Sequence, residues 1–491
     1  MRTAAFLYPW DVVGDPAAAD RLAGLGIQQV TLASAYHSTR ALTPRHPRHR
    51  IVTARHAAVL YPPDPARWAG RALRPATQDW TAGPDPFGAA ARALAGAGLE
   101  VHTWVVLAHN SHLGAEHPDA VVHNAYDDPY PWAPCIARPE VREYLVDLAA
   151  EAAVRPGALG TELESCGWYG LAHLHAHDKT GGVPLTGAAQ YLMSVCFCTV
   201  CAAGYARLGM PAQEVRAAVV RALEPQWSAG RAGTGGREGQ GGREGEWAAV
   251  EELLGAELAG LLRSWRDGAA RTLQRAAVRA VRDAAEGRFR VLLHADPAAH
   301  RCGANVGVDP ADVLAHADGV VLPCTGDAAA RADVLGPFAD RRAGGADRRG
   351  GVADRRAGGS VTAGGAGAVT AGASVTAGGA ATAGASTTAG ASVTAGGSPT
   401  AGASVTAGGA ATAEGAATAG TSASTIAANF TVVSGLGGSP GTLAADAAHA
   451  AALGATELRL YHAGLASDRD LAAVGDALRE IGDNSGKRTA C

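Results

Sequence analysis

Eight short apolar runs, each followed by a stretch at helical spacing, limit what this chain can build. The runs are 3–8 (TAAFLY), 27–33 (IQQVTLA), 100–107 (EVHTWVVL), 159–165 (LGTELES), 289–295 (FRVLLHA), 318–323 (DGVVLP), 429–434 (NFTVVS) and 456–461 (TELRLY). Between them lie helical stretches such as 16–25, 86–97 (PFGAAARALAGA), 139–154, 248–285 and 441–453, and 468–481 closes the series. A run too short for a helix, followed by one long enough for it, is the pattern of a βα unit. Eight units in a row predict a (β/α)8 TIM barrel of class α/β. The run Ala57–Tyr61 is read as loop decoration after the second strand. An open, doubly wound sheet is the competing fold, but no Gly-rich phosphate fingerprint follows the first strand.

Composition decides how much of the 491 residues belongs to that barrel. After Phe338, residues 338–425 are almost wholly Ala, Gly, Thr, Ser and Val, and 228–246 (SAGRAGTGGREGQGGREGE) is a second Gly-rich stretch. Thr recurs every six residues from Thr370 to Thr418, and Asp-Arg-Arg recurs at 340, 347 and 354. A hexapeptide β-helix needs a bulky aliphatic residue in each coil. Here the residue before each Thr is Val at only 369, 375, 393 and 405, and Pro399 removes a ladder donor. The expectation is a disordered spacer at 338–425, inserted before the seventh strand, and a flexible loop at 228–246. Residues 1–337 and 426–485 then form one barrel, roughly 380 residues able to bury a core.

The charge pattern narrows the partners. A net charge of −4, with acids and bases interspersed, offers no basic stripe for nucleic acid. No apolar run is long enough to span a membrane, and the N-terminus reads as a strand rather than a secretion signal. A cytoplasmic location is expected, with the eight Cys as thiols or metal ligands rather than disulfides. The oligomeric state is left open, a homo-oligomer included.

In a barrel of this kind, chemistry sits where the strands end. Those ends carry Trp10 and Asp11, Tyr36 and His37, His109, Asn110 and His112, Glu162 and Glu164, Asp296, Cys324, and Tyr461 and His462. Trp132 and Trp168 are expected at the same mouth, where flat aromatic faces suit the C–H faces of sugars. Trp104, inside the third strand, is read as core. His173, His175 and His177 alternate along the next loop, with His175 expected to contact substrate. Alternatively, these His residues hold an open metal site with His109 and Asp296.

Glu162 and Glu164 stand two apart and therefore point to the same side of a strand. Two acids on an apolar strand are not a packing choice. Glu164 is the expected general acid, with Asp296 or Glu162 as the second carboxylate that glycoside cleavage requires. The alternative is a salt-bridge network in the barrel, involving Arg138 or His109. A separate signal is Cys196-Phe197-Cys198-Thr199-Val200-Cys201, three thiols within reach of one ion. A fourth ligand would complete a closed structural zinc site. Cys166 is assigned to it, with Cys135 or a His of Leu171–Asp178 as alternatives.

A Glu ending the fourth strand, followed by the Cys-Phe-Cys-x-x-Cys segment, resembles the zinc-containing β-galactosidases with a barrel catalytic domain. Related glycosyl-hydrolase-like barrels are more similar still. They share a segment like Ala35-Tyr36-His37, a stretch like Pro-Glu-Val-Arg-Glu-Tyr at 139–144 and a Glu-rich strand end like 162–164. The resemblance covers residues 1–210 and then the general strand order. It implies that Glu164 is the acid/base and that Cys196, Cys198 and Cys201 bind structural zinc. Two positions depart from it. Leu163 stands where the family has Asn, and Val432-Val433-Ser434-Gly435-Leu436 lacks the family's nucleophilic Glu. The expected function is a glycoside-hydrolase-like activity on a small-molecule or oligosaccharide substrate. The alternatives are a sugar-binding barrel without catalysis and a metal-dependent hydrolase.

Overall fold

A computed structural model describes residues 1–171, 179–183, 185–228, 242–297, 305–350 and 424–489. Eight parallel strands close on themselves: β1 (Arg2–Leu7), β2 (Gln29–Tyr36), β3 (Glu100–Val106), β4 (Gly160–Glu164), β5 (Arg290–His294), β6 (Gly319–Pro323), β7 (Thr425–Thr431) and β8 (Glu457–Tyr461). Closure is direct, because β1 pairs with β8 (Ala5 opposite Leu460) and also with β2 (Ala5 opposite Val30). Eight helices alternate with the strands: α1 (Ala18–Gly24), α2 (Pro86–Gly96), α3 (Pro139–Ala153), α4 (Ala256–Ala284), α5 (Pro310–His316), α6 (Ala328–Gly350), α7 (Leu443–Ala452) and α8 (Asp468–Thr489). This is the (β/α)8 barrel expected from the strand pattern. Ala58–Val59 pairs antiparallel with the end of β2, at Ala35 and Tyr36.

Local sequence explains the helix starts. Asp85 and Asp309 accept hydrogen bonds from Gly88 N and Asp312 N, both with Pro at the first helical position. The long α4 buries Leu258, Leu262, Arg266, Ala270, Leu273, Ala277 and Val281 at spacings of three and four against the rest of the barrel shell. Each fully buried Leu there contributes about 2 kcal/mol.

Three boundaries differ from those read in the sequence. β7 ends at Thr431 rather than reaching Ser434, because Val433 is followed by a 3-10 turn. α6 runs through the first two Asp-Arg-Arg repeats to Gly350, and its Phe338 is fully buried. A helix covers Gly242–Leu254, and its first five residues fall in the expected loop at 228–246. A long low-complexity insertion does precede β7, and its residues 351–423 lie outside the described ones. No described helix is long and apolar enough to cross a membrane.

Candidate functional site

Strand alternation sends β8 residues Glu457, Arg459 and Tyr461 into the barrel while Leu458 and Leu460 join the outer core. Arg459 is completely buried. Its Nε lies 2.7 Å from Glu162 Oε1 and its Nη2 2.9 Å from Glu457 Oε2. Arg290 on β5 reaches the other Glu457 oxygen at 2.8 Å, so charges alternate along the axis. Thr31 on β2 donates to Glu162 Oε1 at 3.2 Å. Burial alone would raise the Glu162 carboxyl. The Arg459 charge, helped by His294, overcomes it and holds the group at about 2. The alternative of a salt-bridge network with Arg138 or His109 takes a different form for Glu162, whose partners are Arg459 and His294. Arg138 instead pairs with Glu140.

One layer higher, at the strand ends, Glu164 is 9% exposed. Trp104 donates its indole N–H to Oε2 at 2.6 Å, and the Tyr461 hydroxyl lies 3.3 Å from Oε1. Trp104 is thus both core and site, which its place in β3 did not reveal. Rings continue around this carboxylate. Tyr8 hydrogen bonds to the Tyr36 hydroxyl at 2.9 Å and meets His462 Nδ1 at 3.0 Å. Trp10 stacks on Tyr8, His37 on Tyr36, and Tyr169 on His109. Burial, and then the Glu164 charge, raise the Tyr36, Tyr169 and Tyr461 hydroxyls, so they stay protonated. Burial followed by the charge of His37 lowers His462 to about 3, leaving it neutral. Ser165 and His462, the residues just past β4 and β8, have φ of 63° and 60°. Left-handed backbone at non-Gly residues costs energy that surrounding contacts must hold, and it gathers at functional rims.

Several expected residues take other places. Trp168 is buried in the outer shell, donating to the Arg266 carbonyl at 2.9 Å with the Arg266 guanidinium over its ring. Asn110 caps the helix Ser111–Glu116 through Leu113 N at 2.9 Å. Trp132 stacks on Tyr130 and donates to Gly170 O at 3.0 Å. Asp296 is joined to β4 through one residue: its N–H donates to Asn305 O and Ser165 N–H to Asn305 Oδ1, both at 2.8 Å. His173, His175 and His177 lie outside the described residues.

The cysteine trio is brought against Cys135. The Sγ atoms of Cys135, Cys196, Cys198 and Cys201 all lie within 4.8 Å of one another, all buried. Cys135 Sγ is 3.7 Å from each of the other three. Cys166 is not in this cluster. It follows β4 beside α4, where burial pushes its thiol to about 12 and its carbonyl accepts from Gln274. The fourth thiol beside the trio is thus Cys135, not Cys166. The hairpin Val121–His123/Pro129–Pro134 delivers Cys135, whose N–H donates to Ala120 O at 2.9 Å, and His123 O accepts from Phe197 N at 2.7 Å. Hydrogen bonds from Cys135, Cys196 and Cys201 hold the Cys198 thiol far below the ordinary range. Such a cage can hold one tetrahedral ion.

No family model matches the chain, and no curated protein matches its sequence. Solved structures are similar in outline. An alpha-L-fucosidase isoenzyme 2 from Paenibacillus thiaminolyticus matches at 11% identity and TM-score 0.46, over 99% of this chain and 50% of that one. The PgaB (BpsB) glycoside hydrolase domain from Bordetella bronchiseptica matches at 13% and 0.43, over 98% of each chain. A beta-galactosidase from Marinomonas ef1 matches at 11% and 0.33, over 65% of this chain. The chain spans 40% of that galactosidase and half of the fucosidase. At such identities and superpositions no residue role transfers, and the barrel rests on its own strand pairing.

The rim holds further residues that the sequence did not single out as ligand contacts: Tyr8, Tyr169 and His294. Asp11, just past β1, is buried with Oδ2 accepting from Tyr8 N at 2.9 Å. Burial raises its carboxyl to about 7, against the pull of that N–H and of Arg45. A carboxyl raised in the fold keeps its proton where the unfolded chain has lost it. Stability therefore falls as pH rises from about 4 toward 7. Asp11→Asn should flatten that slope and gain about 2 kcal/mol above pH 7, read from melting temperature against pH. An unchanged slope would refute it. Gly464 lies against the same carboxylate, where an added Cβ would collide with Asp11 Oδ2. Gly464→Ala should cost about 1–3 kcal/mol in urea unfolding, and a neutral result would mean that Asp11 moves freely.

Proposed function

We propose that this barrel acts on a carbohydrate or glycoside at the β-strand mouth, with Glu164 as general acid. The reading is carried by the setting of Glu164. It is a carboxylate at the end of β4, held by the neutral donors Trp104 and Tyr461 and ringed by aromatic faces. Protonated, it can donate to a glycosidic oxygen, and aromatic rings offer sugar C–H faces a surface. Glu162 is withdrawn from acid/base work by Arg459. Asp296, whose loop is tied to β4 through Asn305, is the second carboxylate in this reading. A panel of aryl glycosides tests it. Glu164→Gln should lower kcat by about 10²–10⁴ on any glycoside the wild type cleaves.

A binding barrel without turnover is the second reading. It is favoured by β7, whose inward end carries Asn429 and Thr431 and no carboxylate. Sugar binding with no cleavage across the panel would establish that reading and sink the first.

We also infer a structural zinc held by Cys135, Cys196, Cys198 and Cys201. Four thiolates at about 2.3 Å from a tetrahedral ion stand about 3.8 Å apart. The Cys135 separations of 3.7 Å fit that cage, and four protein ligands leave no open position for chemistry. The ion would tie the loop after β4 to the hairpin after β3.

A further inference from the structure

His294, the last residue of β5, lies between the two glutamates. Its Nε2 is 3.7 Å from Glu162 Oε2 and its Nδ1 3.7 Å from Glu164 Oε2. Its side chain is 5% exposed, and Nε2 and Glu162 Oε2 are both buried without a hydrogen-bond partner. Two orphaned polar atoms that face each other at this separation need a movement of under about 1 Å to pair. Among the described residues, the remaining neighbours offer no rival. Phe6 on β1 meets the ring edge-on, and Val321 on β6 and Ala427 on β7 are apolar, packed with Leu292 of the same strand. The charged and titratable groups nearby are Arg459 on β8 and His102 on β3, which face Glu162. Tyr36 on β2, Tyr461 on β8 and Tyr169 past β4 face Glu164.

We propose that His294 is a positioning residue that holds the proton of Glu164, with Glu162 fixing its tautomer. The reading rests on Glu164 as the acid. Glu162 is kept ionised by Arg459, so it accepts the Nε2–H of His294. That leaves the Nδ1 lone pair facing Glu164 Oε2. A proton on Glu164 Oε2 would face that lone pair across 3.7 Å, and closing the gap to hydrogen-bond distance would let the two atoms share it. On Glu164 it is the acid form. When Glu164 gives a proton to a leaving group through the mouth, the imidazole is placed to take up and return the replacement. The half-buried Arg290 and the buried Glu457, Arg459 and Glu162 are in this view the support that orients the ring.

Nitrogen NMR of the ring, assigned by difference against His294→Gln, tests this without substrate. His294 should be the Nε2–H tautomer in wild type and in Glu164→Gln. It should lose that preference in the paired variant Glu162→Leu/Arg459→Met, which removes both buried charges and the acceptor together. An Nδ1–H ring in wild type, or an Nε2–H ring that persists in the paired variant, overturns the proposal. If the paired variant does not fold, the wild-type tautomer decides alone. On a glycoside that wild type cleaves, His294→Gln should lose about 100-fold in kcat with KM little changed. Unaltered kcat also overturns it. A wild type that cleaves nothing would sink the proposed function, while the ring tautomer would still decide the geometry.

Discussion

Replacing Arg459 by alanine should cost about 3–5 kcal/mol in urea unfolding, among the largest effects of any single substitution in this barrel. The reason is what remains behind. Glu162 and Glu457 would each lose the guanidinium 2.7 and 2.9 Å away, and Glu162 has no solvent to turn to. Its carboxyl would be left to Thr31, Gln29 and His294. The paired variant Glu162→Leu/Arg459→Met should recover much of the loss, since removing both charges also removes the desolvation penalty. The pH dependence follows from the same pair. Because Glu162 is depressed from 4.5 to about 2, its contribution is complete above pH 4.5 and disappears as pH falls through 2. A single variant within about 1 kcal/mol of wild type would mean that water reaches the pair.

Cys135→Ser should abolish one tightly held zinc per chain and lower the melting temperature by on the order of 10 °C. Cys166→Ser should change neither. The contrast is the point of the experiment, because both cysteines are buried and only Cys135 stands within 3.7 Å of the trio. Ligand exchange from sulfur to oxygen weakens a soft-thiolate cage, and the hairpin that delivers Cys135 would lose its anchor on the Cys196–Cys201 loop. Metal content by mass spectrometry, read beside thermal unfolding, checks it. Zinc retained in Cys135→Ser, or lost in Cys166→Ser, would reverse the ligand assignment. Protein isolated with no zinc, and indifferent to added zinc, would refute the metal altogether.

Much of the barrel was legible because each strand carries its own punctuation. Apolar runs of six to eight residues are each followed within four residues by Pro, Gly, Asp or His, and the helices between them begin at Asp-Pro or repeat apolar residues at helical spacing. Rim residues such as Glu164, Tyr36, Tyr461 and His462 could be named for the same reason, since position at a strand end follows from the strand itself. The seventh strand was misplaced by about four residues at its start. Ile426 and Ala427, directly after the low-complexity insertion, look like more of it, while Val432 and Val433 look like strand.

The sequence by itself determined the eight βα units, the insertion before the seventh and the residue types that line the rim. Those depend on local period and composition, which a linear reading can see. Only the tertiary structure decided the partners. Glu162 meets Arg459 across 297 residues of chain, and Cys135 meets Cys198 across 63. Barrel closure brings β8 beside β1 and faces its inward side chains toward β4, and no local pattern specifies which buried charge answers which. The same closure separated two glutamates that look equivalent in sequence. One layer of depth placed Glu162 in a buried ion pair and left Glu164 at the mouth.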